Sequence, residues 1–142
     1  MLLDLSVAID RPVEQVFALI RDIDKQKHGD RVVAIEKATP GSARIGTQYR
    51  EMVRMPFGRQ GELLIEITEL DPPHRLSNRF EGPVMHGEIA YTLTPRDQGT
   101  LLHQQEEIAY TGWAWPANLL GRRALRAKVQ RRLDGYKSQL EG

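Results

Sequence analysis

The chain has 142 residues and carries 20 Lys and Arg against 19 Asp and Glu, a formal net charge of +1. That length suits one domain able to bury roughly two thirds of the surface its unfolded chain would expose, and so even a charge balance sets up no long-range field to draw in a polyanion such as nucleic acid. Cysteine is absent, which removes disulfide scaffolds, thiolate catalysis and Cys-rich zinc sites and fits a reducing compartment.

The N-terminal stretch MLLDLSVAID carries an acid early, where a secretory leader would carry a basic region followed by an apolar one, and no apolar run approaches the ~20 residues needed to cross a bilayer. The expectation is a cytoplasmic protein with no integral membrane association. Leu3, Leu5, Val7 and Ile9 alternate with Asp4, Ser6, Ala8 and Asp10, the pattern of a half-buried strand. After Pro12 the period changes: Val13, Val16, Phe17 and Ile20 fall on one helical stripe, and the helix fades near Asp22 to Asp24, where DKQKHGD turns polar and reaches Gly29.

Residues 31 to 111 read as strands. RVVAIEKAT stops at Pro40-Gly41, TQYREMVRM at Pro56-Phe57-Gly58, GELLIEITELD at Pro72-Pro73 and HRLSNRFEG at Gly82-Pro83, each a signal at which a ladder must end. VMHGEIAYTLTPR and TLLHQQEEIAYTG then form a hairpin around Asp97-Gln98-Gly99. From Pro116 to Leu140 the pattern is helical and roughly 35 Å long at 1.5 Å per residue. Leu119, Leu120, Ala124, Ala127, Leu133, Tyr136 and Leu140 lie near one stripe, beside a basic face of Arg122, Arg123, Arg126, Lys128, Arg131 and Arg132. Gly121 and Gly135 weaken this helix by about 1 kcal/mol each relative to Ala. No repeat or linker composition divides the chain, so residues 1–142 are expected to form a single domain.

One strand, a helix, six further strands and a long final helix form an order with specific sequence pieces attached. VAIDRPVEQVFALIRDID (7 to 24), ITELDPPHRLSNRF (67 to 80) and GEIAYTLTPRDQGTLLHQQEE (87 to 107) resemble the START-like helix-grip superfamily (SRPBCC), within it the polyketide cyclase/dehydrase-like branch. Pro12, Val13, Glu14, Val16 and Phe17 match that family's helix start. A Trp common in the loop after the first helix is replaced here by His28 and Gly29. The resemblance implies an α+β helix-grip fold, like that of the birch-pollen allergen: a curved antiparallel sheet of about seven strands around a long C-terminal helix, with a short helical segment after strand 1. It also implies a pocket between sheet and helix for a small, largely apolar ligand, a lipid or polyketide-like metabolite, and a cyclisation or dehydration as the rival function. No cofactor and no metal are implied.

Strict alternation on the last hairpin turns Met85, Gly87, Ile89, Tyr91 and Leu93 inward. On its partner the set Leu102, Gln104, Glu106, Ile108 and Tyr110 is favoured over Leu101, His103, Gln105, Glu107 and Ala109, and a one-residue slip would reverse it. Glu106 is thus a candidate general acid or base, against the bland reading of a solvated edge beside Glu107. His86 is the other catalytic candidate, and it flanks His103 if the two meet across the hairpin. With His28 and His74 in loops, no third ligand stands at a metal-site spacing, so a metal is not expected. Of the other polar groups on strands, Tyr49 and Glu51 join the expected lining, and Arg79 either meets an acidic head group or stands on the solvent face, the commoner case. The apolar lining is expected from Phe17, Ile67, Phe80, Met85, Ile89 and Tyr91, with Gln104 beside them. Trp113 and Trp115 either cap the pocket mouth or lock the last helix, and Leu120 and Ala124 would line its inner stripe. The basic helix face reads as solvated, not as a site for nucleic acid.

Three functions follow: a binder of a small apolar ligand, a cyclase or dehydratase using a pocket carboxylate or histidine, and an interaction module with a filled interior and an exposed apolar patch. An enzyme should hold a carboxylate or histidine deep inside within hydrogen-bond reach of another polar group, whereas a carrier should keep polar groups at the mouth. A homodimer through the sheet edge or the basic helix is compatible with all three.

Overall fold

In the computed structural model, which describes residues 1–26, 32–55 and 58–142, with Val32 and Val33 described as backbone only, the alternating segments form seven strands. They are β1 (Leu2–Ile9), β2 (Val32–Lys37), β3 (Gln48–Arg54), β4 (Gln60–Asp71), β5 (Arg75–Glu81), β6 (Met85–Arg96) and β7 (Gly99–Tyr110). Helix α1 (Val13–Arg21) and a short 3-10 turn (Ile23–Lys25) follow β1; a second 3-10 turn (Gly112–Ala114), α2 (Ala117–Leu120) and α3 (Arg122–Glu141) follow β7. The predicted stop at Pro56-Phe57 and the substitution of His28 and Gly29 lie outside the described residues.

The strands make one antiparallel sheet in the order β1-β7-β6-β5-β4-β3-β2. Each strand from β2 to β7 pairs with its neighbour in sequence, and the exception is β1, which crosses to pair with β7. α1 therefore has to travel with the chain from one sheet edge towards the other, and it does so over the inner face. Asp97 makes the tight β6–β7 turn at φ 57, a left-handed conformation that Asp tolerates better than most residues. Register shifts interrupt the β2–β3 pairing between Val32 and Ala34 and the β4–β5 pairing between Ile67 and Glu69. Such bulges add local bend and twist, as a sheet needs if it is to curve around a helix.

The inner face carries Leu3, Leu5, Ile9, Ile65, Ile67, Leu76, Phe80, Met85, Ile89, Leu93, Leu102 and Ile108, all buried. α1 adds Val13, Val16, Phe17, Leu19 and Ile20, and α3 adds Leu125, Val129, Leu133 and Tyr136. α3 runs closest to β1.

Two expectations about the last helix are corrected. It is not continuous from Pro116: Gly121 ends α2, its N–H bonding to the Ala117 carbonyl at 2.8 Å, and α3 starts afresh with Leu125 N–H on the Gly121 carbonyl at 2.9 Å. The break resets the helical phase. The buried stripe is consequently Leu125, Val129, Leu133 and Tyr136, while Leu119 and Leu120 are 70% and 82% exposed and Ala124 and Ala127 also face solvent.

Two glycines make opposite predictions. A Cβ at Gly87 on β6 would come within 2.1 Å of the Glu107 carbonyl oxygen and 2.6 Å of the Phe80 ring, so Gly87→Ala should destabilise the fold by roughly 2 kcal/mol or more. At Gly135 in α3 a Cβ meets nothing within 4 Å, and Gly135→Ala should stabilise by up to about 1 kcal/mol. Urea denaturation of both variants checks the pair, and a neutral Gly87→Ala would contradict the close approach.

Candidate functional site

The register of β7 decides what the inner face presents to α3. Leu3 of β1 pairs with Glu106 and Leu5 with Gln104. From the other side Ile89 of β6 pairs with Glu106 and Tyr91 with Gln104. Glu106 and Gln104 are each 1% exposed, and the Gln104 Nε2 donates to Glu106 Oε1 at 3.1 Å. On β5, Asn78 stands beside Ile89 and Ile67 and is also buried. Glu51 on β3 is the further buried carboxyl.

Polar groups from the helices meet this face. Arg132 of α3 is half-buried, with Tyr136, Tyr91, Glu51 and Glu106 around it. Burial works against its charge, but those neighbours outweigh the cost and raise the guanidinium pKa. The Tyr91 hydroxyl bonds to Tyr136, which donates in turn to Gln26 Oε1 at 3.1 Å. Burial pushes the Tyr91 phenol well above its ordinary range and raises Tyr136 as well. Every donor on this path is therefore already committed within the chain. Two acceptors are not: Asn78 Oδ1 and Gln104 Oε1 find no donor among the described residues.

Of the expected lining, the structure buries Phe17, Tyr49, Glu51, Ile67, Phe80, Met85, Ile89, Tyr91 and Gln104. It does not bring in Trp113, Trp115, Leu120 or Ala124. Trp113 is 39% and Trp115 54% exposed, and the guanidinium of Arg59 lies over the Trp113 ring, 4.7 Å from its centroid. His86 is exposed on the outer face, opposite Ala109, and does not meet His103, which lies opposite Thr92. His103 instead hydrogen-bonds Asp4 on the outer face, and that bond, with a weaker one from Gln105, holds the Asp4 carboxyl below its usual range. Arg79 also stands outside, paired with Glu66 at 3.2 Å. Among the described residues no group of three or more His, Asp or Glu side chains is placed to hold a metal ion.

Three inner polar groups escaped sequence reading. Arg132 belongs to the solvated basic face if the helix is continuous, yet it lies three residues from Val129 and four from Tyr136, at the edge of the buried stripe once α3 is phased from Gly121. Asn78 lies between Leu76 and Phe80 in strict alternation, a signal available in HRLSNRF. Gln26 lay in a segment read only as a polar turn.

The sequence profile of the family described as polyketide cyclase / dehydrase and lipid transport matches residues 3–141. The chain belongs to that family. No curated protein matches it. Among solved structures, a START superfamily protein from Mycobacterium smegmatis superposes with a TM-score of 0.79 at 12% identity, covering 99% of this chain and 97% of that one. Ara h 8.0201 gives 0.73 at 16% identity over 100% and 99%. A conserved protein from Geobacillus kaustophilus gives 0.78 at 18% over 99% and 95%. At these identities the likeness establishes the fold, and this member of the polyketide cyclase/dehydrase family has the helix-grip architecture expected from its sequence. No helix among the described residues is long and apolar enough to cross a membrane.

Buried phenols give this family member an alkaline limit. Tyr49, fully buried, donates to the Arg21 carbonyl at 3.3 Å, and burial first, then Asp24 and Asp22, push its pKa up from 10.0 to about 12. A phenol whose folded pKa is raised ionises more readily when unfolded. Its contribution is complete below pH 10 and disappears as pH climbs through about 12. Tyr91 and Tyr136 act in the same direction. Urea midpoints should hold steady up to pH 10 and fall beyond it, less steeply in Tyr49→Phe; a flat profile to pH 12 would contradict this.

Proposed function

We propose that the chain binds a small, largely apolar molecule between the inner face of the sheet and α3, in the cytoplasm. Family membership and the helix-grip fold support this reading, and one observation carries it: two buried amide oxygens, on Asn78 and Gln104, stand on a mainly apolar face with no donor among the described residues. Leaving a buried acceptor unsatisfied costs about 1–3 kcal/mol. A ligand that supplies the missing donor while covering apolar side chains removes that cost.

Native mass spectrometry of protein purified from its own host should reveal a co-purified small molecule. The neutral fluorophore N-phenyl-1-naphthylamine should bind the emptied protein with a blue-shifted emission. Protein that is repeatedly empty and leaves the fluorophore unchanged would end the proposal.

A second reading, catalysis of a cyclisation or dehydration, is favoured by Glu106. Its carboxyl is buried and lies within hydrogen-bond reach of Gln104, the arrangement that distinguishes an acid–base site from a plain carrier. On this reading Glu106 transfers a proton to or from a ligand held by the apolar walls. Glu106→Gln should then slow conversion of a hydroxylated polyketide-like substrate, followed by mass spectrometry as loss of water, about 100-fold or more. Equal rates in the two proteins would dismiss Glu106 from the chemistry.

A further inference from the structure

The chemistry of the inner polar groups restricts what can lie against them. Two carboxyls, Glu51 and Glu106, share the neighbourhood of one guanidinium, Arg132. The Tyr91 hydroxyl is given to Tyr136 and the Tyr136 hydroxyl to Gln26. The Gln104 amide nitrogen is given to Glu106. In that bond the Gln104 amide turns its nitrogen to the Glu106 carboxyl oxygen. The carbonyl Oε1 is thereby left as the free atom, and Asn78 contributes a second free oxygen.

Away from the Arg132 guanidinium, the polar atoms left over on the sheet among the described residues are acceptors, Asn78 Oδ1 and Gln104 Oε1. A carboxylate or phosphate brought here would have to share the one guanidinium with Glu51 and Glu106, and it would offer only acceptors to the two amide oxygens. An aliphatic ether or a hydrocarbon would leave both amide oxygens desolvated and unpaired. A hydroxyl donates. Asn78 on β5 and Gln104 on β7 lie on either side of β6, with Gln104 two residues along from the Asn78–Ile89–Glu106 row, about 12 Å apart at the usual strand spacing and rise, so each calls for its own donor. Around them Leu5, Ile67, Leu76 and Ile89 provide only apolar surface.

We propose that the interior selects a neutral, largely apolar molecule whose polar end is a hydroxyl, donated to Gln104 Oε1 or Asn78 Oδ1, and that it discriminates against fatty-acid-like anions. This rests on the binding function proposed above and names the chemical class of its ligand.

The test uses three probes of equal chain length, 1-dodecanol, dodecyl methyl ether and dodecanoate, each displacing N-phenyl-1-naphthylamine from the full chain at pH 7.5. Dodecanol should displace the fluorophore at a concentration ten-fold or more below either of the others. In Gln104→Met, and separately in Asn78→Leu, the alcohol-to-ether preference should shrink to about three-fold or less in at least one variant. Circular dichroism confirms that each is folded, and the wild-type series decides the matter even where a variant does not fold. Dodecanoate or the ether matching dodecanol on the wild-type protein would overturn the selectivity and leave the binding function standing. A preference unchanged in both folded variants would equally overturn the assignment to these amides. Failure of the fluorophore itself to bind would remove the binding function and this inference together.

Discussion

Strand β7 is paired on both sides along almost its whole length, with β1 and with β6, and this double pairing is the constraint on which the interior depends. A strand held on one side can slip. Held on two, it must break both ladders at once to move by a residue, and a slip would carry His103, Gln105 and Glu107 inward while expelling Leu102, Ile108 and Tyr110. Gln104 and Glu106 are thus kept inside by the apolar residues that alternate with the same period, and no contact of their own is needed to hold them there. The crossing of β1 to the far edge is what supplies the second ladder.

The helix side of the interior is held by a different interaction. Tyr91 of β6 reaches Tyr136 of α3, and Tyr136 reaches Gln26, just past the turn that follows α1. One chain of hydroxyls therefore fixes α3 relative to the centre of the sheet and to the α1 segment. Its position matters because α3 otherwise lies nearest β1, at one side of the sheet. The guanidinium of Arg132, one turn before Tyr136, falls beside the buried carboxyls for the same reason. A half-buried Arg next to Glu51 and Glu106 offsets the cost of keeping two carboxyls out of water, so the acidic groups of the sheet and the basic residue of the helix stand or fall together.

Strand positions were legible because prolines and glycines mark the stops between them, although the alternation breaks at the bulges in β2 and β4; the last hairpin carried enough periodicity to place Gln104 and Glu106. The final helix was legible as a helix but not in its phase. Leu119, Leu120 and Ala124 extend the stripe convincingly if the helix is continuous, and only the backbone at Gly121 shows that it is not. On a continuous helix Arg132 falls with the basic face, and only the new phase set at Gly121 turns it towards the sheet. The His86–His103 encounter failed for a simpler reason. A turn at Asp97 and Gln98 pairs residues at equal distances from it, and these two are not equidistant. The polar network escaped because it joins β6, α3 and Gln26, which are far apart in sequence and share no local pattern.

The junction of β1 with α1 shows why a strand should run straight into a helix in this chain. β1 must end beside Thr100, whose hydroxyl donates to the Arg11 carbonyl at 2.8 Å, and the chain must then cross to the β2 edge. A helix makes the crossing while hiding its own backbone donors and acceptors, which an extended segment over an apolar face would leave unpaired. Val13, Val16, Phe17 and Ile20 turn its buried stripe onto the sheet, and the far end is tied down where Tyr49 of β3 donates to the Arg21 carbonyl. α1 is therefore anchored at β7 through Arg11 and at β3 through Arg21, and α3 is bound to the same segment through Gln26. With both helices tied to each other and to the sheet, a molecule held between them would meet walls whose spacing is set by hydrogen bonds at the ends. The two amide oxygens that no described residue engages lie away from those ties, on β5 and β7, which is where such a molecule would find acceptors still open.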